Sequence, residues 1–198
     1  METSLNGLYA AGDVAAVPMQ FLSGALVFGQ IAAENAVEYI HKNHFYFEVE
    51  ENLCQEQVNK VLVLLREFSD NRYAEVSPND FEYKVRRNIN DYLVSPKNKY
   101  KLEKAIELMN KYRTELPDIV KVRDSHELAR AVEISFIIDC AVLSAHASLA
   151  RKESRWGYRH WRSDFPNTDP DWVKHIDLSL GARYPEVQIT YRPVERMT

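Results

Sequence analysis

The chain has 198 residues, 45% hydrophobic and 27% charged, which is the composition of an ordinary globular protein of one or two domains. Its net charge of −4 gives no general reason to expect nucleic-acid binding, because recognition of a phosphate backbone needs a basic face. Cys54 and Cys140 belong to no Cys-x-x-Cys motif, so we predict two free, buried thiols rather than a zinc site or a disulfide. These thiols, and an apolar stretch at residues 21–31 that is too short to span a bilayer, lead us to expect a soluble cytoplasmic protein.

The first predicted element is an apolar strand over Gly7–Ala11 that runs directly into Gly12 and Asp13. A helix rich in small residues follows, from Ser23 to about Lys42. In a cofactor-binding α/β domain, this order delivers an acidic side chain and a helix N-terminus to a ligand. Because such a strand needs neighbours in a parallel sheet, we expect the chain to be the C-terminal part of a larger enzyme. Asp13 has an alternative interpretation as a simple turn residue before the helix.

Four further helices are predicted in quick succession after residue 50. Their predicted ranges are Glu51 to Ser69, Ser77-Pro78 to about Leu93, Ser95-Pro96 to near Pro117, and Ser125 to Lys152. The last is apolar around much of its circumference, which indicates burial between at least two other helices. Asp139 interrupts that surface and should face solvent or find a partner. The sequence therefore predicts a mainly α fold, an antiparallel helical bundle with short turns that is spectrin-repeat-like.

After Arg155 the pattern changes to alternating aromatic and charged residues, followed by a turn-rich segment. Two strand-like runs, Val173–Leu180 and Val187–Tyr191, predict a C-terminal β-hairpin closed by a loop over Gly181–Glu186.

Polar and charged side chains cluster where the longest helix meets this hairpin. One interpretation is an anion-binding or catalytic site; the other is a buried network of ion pairs, with arginine stacked on Trp156 or Trp161. We favour the structural interpretation, and we predict no catalytic residue and no metal site. His146 is interpreted as a core histidine with satisfied hydrogen bonds, and His41 with His44 lacks the further ligands of a metal site. The residues of the cluster are Glu153, Ser154, Arg155, Arg159, His160 and Arg162.

Two separated stretches of the chain resemble a single protein family. The first runs from Leu5 to Ala15 and continues from Ser23 to Ala32; the second runs from Glu153 to Pro166 and ends in Trp172 to His175. Together they resemble the flavoprotein subunits of fumarate reductase and succinate dehydrogenase, a family that includes the adenylylsulfate reductase α-subunit. The run Glu-Ser-Arg-Trp-Gly, rather than Glu-Ser-Arg-Gly, is nearest the adenylylsulfate reductase branch.

This resemblance implies the C-terminal portion of an FAD-dependent oxidoreductase that transfers electrons, with an iron–sulfur subunit as partner. In the family, the acidic residue of the Gly-Asp motif, here Gly12 and Asp13, hydrogen-bonds a ribityl hydroxyl of FAD. A helix N-terminus lies at the pyrimidine edge of the flavin, where its positive end stabilises the charge of the reduced ring. FAD is expected in the intact parent and not in this chain alone. The residues at that helix N-terminus would be Leu22, Ser23, Gly24 and Ala25.

The chain also departs from the family pattern. Succinate and fumarate enzymes carry a His-Gly-Ala-Asn-Arg run where this chain has Val17–Phe21, and no residue between Asp13 and Gly24 is cationic. The Gly-x-Gly-x-x-Gly dinucleotide fingerprint does not occur in the sequence, and neither does the family's capping domain, so we expect the chain alone to be inactive. The implied regions are a remnant of the FAD-binding domain at 1–47, a helical bundle at 48–154, and an aromatic and basic segment with the hairpin at 155–198.

A second hypothesis treats the chain as a non-catalytic helical interaction module. The apolar strand Gly7–Ala11 and the helix around Phe21–Ile31 would then dock on a partner or on a second copy of the chain.

Overall fold

The computed structural model describes residues 1–15, 21–43, 51–56, 58–59, 76–180 and 186–194. The chain divides into two compact units, Met1–Cys54 and Gln55–Thr198. The three helices after residue 76 and the hairpin belong to the second unit, while the Gly12-Asp13 motif and the helix that follows it belong to the first. Of the predicted helix Glu51–Ser69, residues 51–56 and 58–59 are helical and the remainder lies outside the described residues.

The first unit contains one long helix, α1, at Leu22–Asn43, which confirms the predicted helix. The segment predicted as a strand forms no strand. Residues 1–15 instead contain one isolated bridge between Glu2 and Tyr9, a turn with Gly7 at φ +78°, and a short 3-10 helix at Gly12–Val14. An extended segment becomes a strand only when neighbouring strands satisfy its backbone groups, and the described residues of this unit hold no sheet for it to join.

Helix α2, Pro78–Leu93, has the bounds that the sequence predicted. Ser77 is its N-cap, and the Ser77 hydroxyl accepts the backbone N–H of Asp80. Pro78 takes the first helical position, where its missing N–H costs nothing and its fixed φ suits the helix.

Helix α3, Lys99–Ile119, starts later and ends later than predicted. Asn98 caps it: the side-chain oxygen of Asn98 accepts the N–H of Lys101 at 2.9 Å, so the Ser95-Pro96 pair lies before the helix. Pro117, predicted to end the helix, lies inside its last turn. The proline removes one N–H there, and the helix ends two residues later.

Replacing Asn98 by alanine is expected to lower the free energy of unfolding by about 1 kcal/mol, because an N–H of the first turn loses its acceptor. Urea denaturation of the variant measures this loss. Asn90→Ala, on the exposed surface of α2, is the control and should change the free energy of unfolding by less than about 0.5 kcal/mol. Equal effects of the two substitutions would contradict the capping role.

Helix α4, Ser125–Ala150, is capped by Asp124, whose carboxylate accepts the N–H of Glu127. It packs against both α2 and α3 and against the hairpin, which confirms the predicted burial between two helices. Asp139 finds a partner, as predicted, in an ion pair with Arg113. Cys140 is on the exposed side of α4, and Cys54 is also exposed, so the prediction of buried thiols is wrong although both are free.

The core lies between α2, α3 and α4, which are joined by short connections at residues 94–98 and 120–124. Neighbouring helices in contact through such short connections run antiparallel, and the predicted mainly α bundle is confirmed. Phe81 and Tyr112 meet edge to face with ring centroids 5.9 Å apart. The largest fully buried apolar side chains of the core are Phe81, Val85, Leu102, Met109, Val120, Ile134 and Ile138.

The predicted hairpin is confirmed. Strand β1, Lys174–Leu180, pairs antiparallel with β2, Val187–Pro193, in a register that sets Leu178 opposite Ile189. Asp177 and Arg192 form an exposed ion pair across the strands. Most of the predicted loop, residues 181–185, lies outside the described residues. Within the described ranges, no helix is both long enough and apolar enough to cross a membrane.

Candidate functional site

The residues predicted to bind a cofactor lie in the first unit, near the start of α1. The short 3-10 helix Gly12–Val14 packs against α1. Gly12 is buried, has φ +75°, and a Cβ added to it would lie 3.6 Å from the Cβ of Ala25. The Gly-Asp turn therefore approaches the first turn of α1 closely, as a shared site would require.

The chemical groups of this region are accessible. The Asp13 side chain is exposed and forms no hydrogen bond or ion pair with any described residue. Leu22 and Ser23 are exposed as well, whereas Gly24 is buried and Ala25 half-buried. The first N–H groups of a helix have no partner inside the helix, so this end offers donors beside an anionic acceptor. The neighbouring Val17-Pro18-Met19-Gln20 of the predicted departure lie outside the described residues.

A second group of polar residues surrounds Glu153, immediately after α4. Glu153 is fully buried. Its Oε1 accepts from Arg151 Nη1 at 2.7 Å and from Arg155 Nε at 2.8 Å, and its Oε2 accepts from Arg155 Nη2 at 3.0 Å. Oε2 also accepts the backbone N–H of Asp169 at 2.9 Å. Burial alone would raise the pKa of Glu153, but the hydrogen bonds from Arg155, Asp169 and Arg151 outweigh it and lower that pKa to about 2.

The arginines of this network also hold the backbone of the following segments. Arg151 donates to the carbonyls of Trp172 and Lys174, at 2.7 and 2.8 Å, where β1 begins. Arg155 donates to the carbonyl of Asp169 at 3.0 Å. Because one carboxylate joins both guanidinium groups, the end of α4 and the start of the hairpin are held together by the Glu153 network.

Arg162 is the second centre of the cluster, and only 1% of its surface is exposed. It forms a two-pronged pair with Asp164, Nε to Oδ1 at 2.8 Å and Nη2 to Oδ2 at 2.7 Å. Its Nη1 donates to the carbonyls of Ser148, Leu149 and Arg151 at 2.5, 3.2 and 3.2 Å. These are orphan carbonyls at the C-terminal end of α4, so the Arg162 guanidinium caps that helix.

Trp156 adds an unusual backbone feature to the cluster. It adopts φ 58°, a left-handed conformation that is uncommon for a bulky residue, and Gly157 follows at φ 61°. The guanidinium carbons of Arg151 and Arg155 each lie 5.9 Å from the Trp156 ring centroid, which fits the predicted cation–π packing. Trp161 contacts the ring of Tyr158 edge to face rather than an arginine.

The histidines do not form a metal centre in the described residues, which hold no group of three or more possible ligands. His160 is buried, and burial with the nearby Lys97 charge lowers its pKa. His146 is only half-buried and has no described hydrogen-bond partner, so its interpretation as a satisfied core histidine is wrong. His146 lies at the edge of the α4 face that packs into the core, so the core covers its side chain only in part. His44 lies outside the described residues.

The structural interpretation of the cluster is therefore correct for Glu153, Ser154, Arg155 and Arg162, all of which bind protein groups. Ser154 links the segment internally, since its hydroxyl accepts the Arg162 N–H at 2.8 Å and donates to the carbonyl of Phe165. Arg159 is exposed and joins none of these contacts. Sequence reasoning missed Arg151 and Asp164; the alternation of charge on both sides of Glu153 and Arg162 was the available signal.

The sequence matches a known protein family over more than half of its length. Residues 82–198 match the family described as Fumarate reductase flavoprotein C-term. The chain belongs to this family.

Relatives of known name agree with the assignment to the fumarate reductase flavoprotein C-terminal family. An uncharacterized FAD-dependent oxidoreductase of Methanocaldococcus jannaschii is 29% identical in an alignment of 182 residues that covers 88% of this chain and 32% of the relative. The succinate dehydrogenase flavoprotein subunit of Rickettsia bellii is 27% identical over 98% of this chain and 33% of its own length. The chain thus spans about a third of the length of the curated relatives it matches.

The fold also occurs in solved structures. Adenylylsulfate reductase from Archaeoglobus fulgidus superposes with a TM-score of 0.78 at 23% identity, over 89% of this chain and 30% of that one. The match to the fumarate reductase flavoprotein C-terminal family begins within α2 and includes the Glu153 network and the hairpin. Gly12, Asp13 and the start of α1 precede the family match, and their role stays a prediction.

Proposed function

We propose that this chain is the C-terminal portion of an FAD-dependent oxidoreductase of the fumarate reductase and succinate dehydrogenase flavoprotein type. In that role, α2–α4 brace the flavin domain, and the first unit supplies the last part of the FAD site. The observation that carries the proposal is the family match over residues 82–198. The parent protein, rather than this chain alone, would bind FAD and transfer electrons.

The geometry of the first unit supports a cofactor role for its Gly-Asp turn. The carboxylate of Asp13 is exposed and pairs with no described residue, so it is a suitable acceptor for a sugar hydroxyl. Leu22, Ser23, Gly24 and Ala25 form the first turn of α1, where the helix dipole favours the negative charge of a reduced flavin. The Ala25 N–H donates to the Phe21 carbonyl at 2.9 Å, so the N–H groups of the three preceding residues are the proposed donors. Phe21, Leu22 and Leu26 are 77%, 79% and 67% exposed, and we infer that the rest of the parent flavin domain covers them.

Replacing Asp13 by alanine in the parent-length protein is expected to weaken FAD binding roughly 10- to 100-fold, because one charge-assisted hydrogen bond is lost. Titration of the apoprotein with FAD, followed by the visible absorbance of bound flavin, measures the change.

Glu34→Ala is the matched control, because Glu34 is an exposed carboxylate of the same unit and, among the described residues, its side chain bonds only to Gln30. This variant should bind FAD like the unaltered protein. An Asp13 variant that keeps full affinity would remove Asp13 from the site. A correctly folded, colourless parent would contradict the proposed function as a whole.

An iron–sulfur partner subunit and the nearest branch within the family stay predictions from the resemblance, and cytoplasmic location stays a prediction from the free cysteines and the hydropathy of the sequence. The interaction-module hypothesis, including a homo-oligomer formed through the apolar start of α1, also stays a prediction. Light scattering of the isolated chain tests self-association, and a monomer would contradict the homo-oligomer.

A further inference from the structure

A cavity of about 610 Å³ lies beside the Glu153 network, within the second unit. It opens between the end of α4, the loop that carries Trp156 and His160, and the start of β1. Trp156 and Trp172 form part of its wall. None of the contacts described for the Glu153 network fills this space.

The charge of the cavity wall has one sign. Five basic side chains line it, together with His160 and His175, and among the described residues no aspartate or glutamate does. Two of the five, Arg151 and Arg155, are neutralised in part by Glu153. The remaining three, Lys97, Arg159 and Lys174, form no ion pair with any described carboxylate.

Two of these three cations, Lys97 and Lys174, are partly buried and have no described carboxylate beside them. Lys97 is half-buried, and its Nζ has only a neutral partner, the Ser148 hydroxyl at 3.0 Å. Burial, and then the nearby Arg162 guanidinium, lower the pKa of Lys97. The Lys174 Nζ lies 4.5 Å from the Trp172 ring centroid and 5.1 Å from that of Tyr191, so aromatic faces are its neighbours. A partly buried cation without an anion is costly, and a bound anion removes that cost.

His160 also lines the cavity, and the charged groups around it show the same excess of positive charge. Its Nε2 is buried and has no hydrogen-bond partner among the described residues. The charged groups that act on it are Lys97 before α3, Arg151 at the end of α4, and Arg162 on its own segment. Lys174 and His175 of β1 and Arg155 and Arg159 of the loop share the cavity with it. All of these groups are basic, so none supplies the negative charge that would favour an imidazolium.

We propose that this cavity binds a dianionic oxyanion of the sulfate or phosphate class, held by Lys97, Arg159 and Lys174. Three cations that pair with no described carboxylate match a dianion better than a monoanion. The flat indole walls leave room for an apolar part of a larger molecule that carries such a group. Lys97, Arg159 and Lys174 belong to the second unit, whereas the residues proposed for FAD belong to the first.

Calorimetric titration of the 198-residue chain with sodium sulfate tests the proposal, with sodium chloride at equal ionic strength as reference. Saturable binding of one sulfate is expected, and chloride should not reproduce it. Arg159→Gln and Lys97→Met should each weaken sulfate binding roughly tenfold or more, because each removes one charge-assisted contact. Arg159 is exposed and without a described side-chain partner, so its variant keeps the fold, which circular dichroism verifies.

Lys121→Gln is the matched control, because Lys121 is exposed, lies outside the cavity and forms no described ion pair. It removes the same charge from the molecule and should leave sulfate affinity unchanged. A second readout is the His160 ring observed by NMR: bound sulfate should raise its pKa, because a nearby negative charge favours the protonated ring. Absence of saturation, or equal weakening in Lys121→Gln, would overturn the proposal.

Discussion

Glu153→Ala is expected to lower the free energy of unfolding by about 3–5 kcal/mol, because it leaves two guanidinium groups without their shared anion. The carboxylate is fully buried and accepts from Arg151, Arg155 and the backbone N–H of Asp169. Alanine removes all of these acceptors at once. Urea denaturation followed by circular dichroism gives the free energy of unfolding of the variant and of the unaltered chain.

Glu103→Ala provides the comparison for this experiment. Glu103 pairs with Lys99 at 3.7 Å on the exposed surface of α3, and an exposed helical pair of this kind contributes about 0.3–0.5 kcal/mol. A loss in Glu153→Ala no larger than that of the control would show that the buried network contributes little to stability.

The pH dependence of stability gives a second measurement on Glu153. The folded-state pKa is about 2, below the ordinary value of 4.5, so the ionised form is favoured in the folded chain. The resulting stabilisation is present above pH 4.5 and is lost as pH falls from 4.5 towards 2. A shift of this size corresponds to a stabilisation on the order of 3 kcal/mol. The difference in stability between the unaltered chain and Glu153→Ala should therefore shrink as the solution is acidified through that range.

Arg162→Ala is the substitution expected to have the second large effect, a loss of about 3–5 kcal/mol in the free energy of unfolding. It leaves Asp164 without its two-pronged partner and leaves the terminal carbonyls of α4 without a donor. Arg162→Lys keeps the positive charge but not the planar fork, and it should recover only part of the loss. Denaturation midpoints and amide exchange in the last turn of α4 measure both variants.

Arg192→Lys tests whether geometry or burial determines this effect. Arg192 pairs with Asp177 on the hairpin surface, where the two side chains are 61% and 47% exposed. The free energy of unfolding should change by less than about 0.5 kcal/mol, because exposed pairs contribute little. If Arg162→Lys were as mild as Arg192→Lys, the proposed capping of α4 by the guanidinium fork would be wrong.

Local sequence signals predicted the fold where the deciding contact is close in sequence. Ser77 and Pro78 fixed the start of α2 because the cap and the proline act on the very next turn. The Ser95-Pro96 pair carried the same signal and misled, because Asn98 caps α3 in its place. Ser95 and Asn98 are both of a residue type that favours the N-cap position, and residue type alone does not decide which of them caps α3.

The cluster after α4 shows a different limit. The residues of this cluster were identified from the sequence. Their roles were not, because each role depends on how deeply the side chain is buried and on which groups it contacts. Arg162 is buried against the end of α4, whereas Arg159, three residues earlier, is exposed. Lys97 contacts this region through a hydrogen bond to Ser148, which lies 51 residues later in the sequence. No local sequence pattern indicates that contact. Cys140 was misjudged for a related reason, since an apolar helix still presents one side to solvent.

The contacts of Arg151 have a consequence for the cooperativity of unfolding. A two-stranded hairpin is marginally stable on its own, and β1–β2 is such a hairpin. Arg151 binds the carbonyls at its entrance while also binding Glu153, and α4 packs against both strands. Strands β1 and β2 thus depend for their order on contacts with the helix that precedes them. The hairpin and the end of α4 should open together as one foldon, with similar protection of their amides.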